Sequence, residues 1–195
     1  MKAIGAGLAV LGVWLLTGRA LPATEHTVRF RDAKDFAYVA RSYYCPFFTL
    51  GCDVRKSDVD WAMVRKAVED WRAVAPCMLG DYYPLTAYSL DRSVWMAWQF
   101  DLPEQGRGIV QVFRRPESPY ESARFPLRGL DPKATYEVTD LDAPSGPQHL
   151  VGRLLLEQGL PVTLAKRPGS AVFAYRRAAG SSRPASTPPA APNLR

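Results

Sequence analysis

From Val94 the chain reads VWMAWQF, and its side chains alternate with a period of two. In an extended strand Val94, Met96, Trp98 and Phe100 fall on one side, and Trp95, Ala97 and Gln99 on the other. The first set is uniformly apolar. Burying four such side chains is worth about 1.5–3 kcal/mol each, so that face is expected in a core. Trp95, on the opposite face, is read as a core or interface residue. The alternative is a platform on which a flat indole stacks against a sugar ring.

Further strand candidates follow downstream. GIVQVFR (108–114), ESARFPL (121–127), TYEVTDL (135–141), PVTLA (161–165) and SAVFAYR (170–176) are strand candidates. LPEQG, RPESP, GLDPK, DAPSG and KRPG separate them with turn-forming residues. GRLLLEQG (152–159) fits a strand or a helical turn. Short strands at near-regular spacing predict an antiparallel sandwich or barrel.

Upstream the period changes. Val59, Met63, Ala67, Trp71 and Val74 recur at helical spacing, which predicts a helix over 58–75, broken near Pro76. Ser57 is the expected N-cap, with Asp58 and Asp60 in the first turn, where the helix dipole favours acids. Arg65, Lys66, Glu69, Asp70 and Arg72 form its solvated face. Further upstream, TVRF (27–30) and FAYVA (36–40) read as strands, and CPFFTLG (45–51) as an apolar segment between Pro46 and Gly51.

Composition refines this picture at both ends. The stretch 178–195 is rich in Pro, Ala and Ser and lacks the apolar area that would offset ordering, so it is expected to be disordered. At the start, Lys2 precedes an apolar run over 3–16, with small residues at Ala20 and Ala23. A secretory signal has this layout, and the run is shorter than the about 20 residues of a membrane span. The competing reading is an apolar piece of a larger core. Localisation follows the choice: exported for a signal, cytoplasmic otherwise.

Chemistry is sparse. The formal charge of +6 is spread without a Lys/Arg block, which argues against nucleic-acid binding. Cys45, Cys52 and Cys77 make an odd set with no zinc spacing, and His26 and His149 are far apart in sequence. Cys45 and Cys52 could pair in an exported chain; three partly buried thiols is the preferred reading. No catalytic, cofactor-binding or metal residue and no cofactor is assigned.

Several collinear blocks nevertheless resemble a known family. They are RSYYCPFFTLGCDVR (41–55), GDYYPLT (80–86), WMAWQFD (95–101), Phe113-Arg114-Arg115, Ser118-Pro119-Tyr120-Glu121 and LRGLDP (127–132). Together they resemble the carboxy-terminal part of glycoside hydrolase family 36, the α-galactosidases, over roughly residues 36–177. The resemblance implies a mainly β fold. Its parts would be an antiparallel β-sandwich of Greek-key type over 81–177, preceded over 24–80 by one long helix and the end of a (β/α)₈ barrel. It also implies a retaining hydrolase whose two catalytic aspartates lie on the barrel, upstream of the 41–55 segment. Such chemistry needs two carboxyls about 5–5.5 Å apart. The acids preceding that segment, Glu25, Asp32 and Asp35, do not sit in the family's catalytic surroundings.

Lys56-Ser57-Asp58 matches the family's Lys-x-Asp nucleophile motif by letter only, because it opens a helix after the barrel's last segment. Asp140 and Asp142 are expected at a turn and strand end. Tyr82, Tyr83 and Tyr120 are expected as packing or interface aromatics. The expected function is therefore the non-catalytic part of an α-galactosidase-like hydrolase, meeting a galactoside only through the barrel and able to self-associate through the face that would meet it. The alternative is an exported carbohydrate-binding sandwich without catalysis.

Overall fold

In a computed structural model, residues 36–47, 55, 57, 59–143 and 145–179 are described. The apolar run 3–16, the TVRF strand, Cys52, Lys56, Asp58 and the tail from 180 onward lie outside them.

Among the described residues the chain forms eight strands, six of them at the segments expected. They are β1 (Asp81–Pro84), β2 (Met96–Leu102), β3 (Arg107–Arg114), β4 (Ser122–Phe125), β5 (Thr135–Asp140), β6 (Gln148–Val151), β7 (Leu160–Thr163) and β8 (Gly169–Arg177). Six form one sheet in the order β1-β2-β3-β8-β5-β6, and β4 pairs with β7 in a second. All pairings are antiparallel. The fold is thus mainly β, an antiparallel sandwich with few helices, as expected, although the two sheets are very unequal.

Among the described residues three α-helices join them. Helix α1 spans Phe36–Ser42, α2 spans Trp61–Val74 and runs into a 3-10 turn at Ala75–Leu79, and α3 spans Gly152–Glu157. Two expectations are corrected here. FAYVA is helical rather than extended: Phe36 and Ala40, four residues apart, are buried on one side of the helix, and Tyr44, just past its end, is buried with them. The N-cap of α2 is Asp60, not Ser57, and its carboxylate accepts from the Ala62 and Met63 amides at 3.0 Å each. Pro76, which has no N–H to donate, then falls where the α-helix gives way to the 3-10 turn. GRLLLEQG takes the helical option, in α3. The edge strands β1 and β6 were not anticipated; each is four residues long and largely exposed, so it carries little alternation.

The large sheet is covered on both faces. On one, Trp95, Ala97, Val110, Val112, Tyr136, Val138 and Tyr175 pack against Phe125 and Leu127 of β4 and the loop after it, Leu155 of α3, and Leu160 and Val162 of β7. On the other, Ile109 and Val172 pack with Phe36, Ala40, Val64, Ala67 and Val74 of the helices, joined by Phe100. This overturns the facing inferred for β2. The set containing Trp95, Ala97 and Gln99 is the more deeply buried, whereas Met96, Trp98 and Phe100 are half-buried under the helical layer and Val94 is largely exposed. Apolarity identified a covered face but could not say which cover was thicker. Trp98 stacks on Phe113 with ring centroids 4.9 Å apart and donates Nε1–H to Gln111 Oε1 at 2.9 Å.

Candidate functional site

Two places gather polar chemistry among the described residues. The first is where α1 meets the large sheet. Helix α1 carries Arg41 in its last turn, where a cation suits the helix dipole, and its packing places the guanidinium against β8 and the turn after β5. Nη1 and Nη2 of Arg41 donate to the two oxygens of Asp142, at 2.7 and 2.6 Å, in a fork. Nη1 also donates to the Ser170 carbonyl at 3.0 Å. Asp70 of α2 lies 3.7 Å from Nη2 and is itself paired with Lys66. The main chain of the same residue is held as well, since Gln111 of β3 donates Nε2–H to the Arg41 carbonyl at 3.1 Å. The Arg41 side chain is only 4% exposed. Burial acts to lower its pKa, and Asp142 overrides that and raises it. Burial, with Asp70 adding to it, also raises the Tyr44 phenol, which donates to the Ala67 carbonyl at 2.9 Å.

A cavity of about 320 Å³ opens beside this node, between α1 and α2. Phe36, Ala40, Tyr44, Met63 and Ala67 give it an apolar floor, and Arg41, Lys66 and Asp70 supply the polar groups. It offers a single carboxylate, already engaged by two cations.

The second place is one end of the sandwich core. Asp101 closes β2 with 3% of its surface exposed. Tyr175 of β8 donates its hydroxyl to Asp101 Oδ1 at 2.7 Å and accepts from Gln99 Nε2 at 2.7 Å. Gln99 holds the loop of residues 127–131 at both polar atoms of one residue: Nε2 donates to the Arg128 carbonyl at 2.8 Å, and Oε1 accepts from the Arg128 amide at 2.8 Å. The next residue, Gly129, has a φ of 71°, and a side chain there would begin 3.0 Å from Asp101 Oδ2. Burial pushes the Asp101 carboxyl up to about 6; the Tyr175 bond opposes this, and the charges of Asp81 and Glu104 add to it. A carboxyl poised there has the acidity of a general acid. Its surroundings, however, are protein groups that already use its oxygens.

The residues singled out from sequence fall as follows. Trp95 is 9% exposed, lies over Phe125 with centroids 5.9 Å apart and donates to the Tyr120 carbonyl at 3.2 Å, so it is a core residue. Asp140 accepts from the Asp142 amide at 3.0 Å, as a turn residue does. Asp142 does more, because it carries the Arg41 fork. Tyr82 packs on Phe100 at 5.3 Å, Tyr83 approaches Asp81 at 3.4 Å, and the Tyr120 ring is exposed. His149 stands opposite Glu137 on the edge strand β6. Cys45 and Cys77 are free thiols, and burial raises the pKa of Cys77. Glu25, His26, Asp32 and Asp35 lie outside the described residues. Arg41, Gln99 and Asp101 were not picked out as site residues; an isolated Arg after FAYVA, and a Gln and an Asp within an aromatic strand, give no pattern to read.

Comparison with known proteins follows the same outline. Residues 95–175 match the family model described as the glycosyl hydrolase family 36 C-terminal domain. Among solved structures, the α-galactosidase of Lactobacillus brevis is similar, with a TM-score of 0.56 and 20% identity, over 84% of this chain and 22% of that one. The family 36 α-galactosidase AgaA of Geobacillus stearothermophilus gives 0.55 and 17%, over 84% and 20%. The galactosidase domain of the α-galactosidase–sucrose kinase AgaSK gives 0.51 and 23%, over 62% and 16%. The chain therefore spans between 16 and 22% of the length of these enzymes. No curated protein sequence matches. The chain resembles the carboxy-terminal part of glycoside hydrolase family 36, and the fold is shared with the solved α-galactosidases.

Proposed function

We propose, from the likeness of residues 95–175 to the family 36 C-terminal domain, that this chain is the non-catalytic carboxy-terminal part of an α-galactosidase-like glycoside hydrolase. In this reading the sandwich is a brace. It fixes the helices that lead back toward a catalytic barrel, and the barrel supplies the two carboxyls that attack and protonate the glycosidic bond.

One observation supports the bracing role: the Arg41 node. A buried guanidinium on α1 is bonded to the turn after β5 and to β8, while its own carbonyl is held by β3. Polar groups are costly to bury unless their bonds are complete, and here the bonds run between the helical layer and the sheet. Burial of Trp95 weakens the carbohydrate-binding alternative, because the indole that would stack on a sugar is packed on Phe125.

The test uses the purified 195-residue chain. We expect hydrolysis of an aryl α-galactoside no faster than the buffer blank, and no saturable change in tryptophan fluorescence on titration with melibiose. Turnover above the blank that scales with protein concentration would refute the non-catalytic role. A saturable fluorescence change without turnover would favour the binding module.

A further inference from the structure

Asp101 lies where β1, β2 and β8 meet the 127–131 loop. The titratable groups that act on it, or that it acts on, come from every side. Asp81 and Tyr83 belong to β1, Glu104 to the turn after β2, Tyr175 to β8, Tyr136 to β5 and Cys77 to the 3-10 turn. Each of these groups is neutral or anionic. Asp81 stands directly opposite Asp101 in the β1–β2 register, so the two acids share one face of the sheet. Directly opposed residues bring their Cβ atoms to about 4.5–5.5 Å, and like charges so placed destabilise the pair.

The strand that would feel this is β1. It is the outer strand of the six-stranded sheet and follows Gly80, the link from the helical layer to the sandwich. That link is tight: a side chain on Gly80 would begin 2.0 Å from the Asp101 carbonyl oxygen. Charge on the Asp101 side chain thus develops beside the joint.

We propose that Asp81 and Asp101 form a proton-operated clasp on β1. With Asp101 protonated, Tyr175 and Gln99 hold the end of β2 and β1 stays seated. With Asp101 ionised, the dehydration of its buried charge, to which Asp81 opposite adds, loosens the strand and the joint it carries. The clasp does not depend on the α-galactosidase reading, since it uses only the described strands.

The direction follows from linkage. The folded Asp101 carboxyl titrates at about 6 and the ordinary value is 3.8, so between those values the seated strand keeps a proton that the opened strand has lost. Opening therefore becomes easier as pH rises from about 4 to about 6 and levels off above. Between about pH 5 and about pH 7.5 the opening constant rises about tenfold.

Amide hydrogen exchange of the full chain, followed by NMR and corrected for intrinsic rates, reads this directly. We expect the β1–β2 amides to lose about tenfold in protection across that interval in the native sequence. In Asp101→Asn, which keeps an oxygen for Tyr175, protection should not change with pH. Equal protection of the native strand at both pH values, or an undiminished loss in the variant, would overturn the clasp. Carboxyl-carbon NMR of the native chain keeps the test open if the variant fails to fold. A midpoint near 6 for Asp101 supports the clasp, and a midpoint near 4 overturns it.

Discussion

Removing the Arg41 guanidinium should separate the helical layer from the sheet energetically. Arg41→Met keeps much of the aliphatic stem over the apolar floor and deletes the donated bonds, two to Asp142, one to the Ser170 carbonyl and a long one to the Ser170 hydroxyl. A charge-assisted hydrogen bond contributes about 1.5–3 kcal/mol, and breaking a fully buried pair costs about 3–5 kcal/mol. The pair here is buried on one side only. Arg41 is 4% exposed and Asp142 is 45% exposed, so water recovers part of the loss at the carboxylate. Asp70, at 3.7 Å, contributes a weaker second pairing. These considerations place the coupling between Arg41 and Asp142 at about 2 kcal/mol. A double-mutant cycle of Arg41→Met, Asp142→Asn and the combined variant, read by urea unfolding, isolates that quantity. A coupling below about 0.5 kcal/mol, the level of an exposed surface pair, would refute the anchorage on which the brace rests.

Other outcomes follow from the sandwich core. Gly108→Ala should abolish stable folding or cost more than about 3 kcal/mol by thermal melt, because the new methyl would lie 2.2 Å from the Tyr175 hydroxyl and 2.4 Å from the Phe100 carbonyl oxygen. Gly129→Ala should cost about 1–2 kcal/mol for its left-handed backbone alone, measured by urea midpoint. Gln99→Leu strands both polar groups of Arg128 and should cost about 2–4 kcal/mol, with faster exchange of the Arg128 amide. Trp95→Ala should cost about 3–5 kcal/mol in the same unfolding assay, as a core residue does; a loss below about 1 kcal/mol would return the indole to the surface.

The legible part of the fold was its longer strands. Strand β5 carries a two-residue period, whereas β3 and β8 read as short, nearly continuous apolar runs covered on both faces; turn residues bound all three, so their place in the chain could be read. FAYVA failed because five residues of Phe, Tyr, Val and Ala satisfy strand propensity. Its helical register shows in Phe36 and Ala40, four residues apart and both buried. The facing of β2 failed for a different reason: both faces are covered, and a sequence cannot weigh one cover against another. Asp101 was legible only as a polar residue at the end of a strand. Its raised pKa arises first from burial, with Asp81 and Glu104 adding, an environment set by register and by the tertiary layers. The family blocks conveyed more than the periodicity did, because collinear motifs constrain spacing that short patterns leave free.

The most direct measurement of the scaffold account is chemical trapping. The purified chain would be incubated with a fluorinated galactosyl fluoride, which accumulates the glycosyl-enzyme of a retaining hydrolase, and then weighed intact by mass spectrometry. The account predicts an unchanged mass. A single galactosyl adduct that maps to an Asp or Glu of this chain would contradict it.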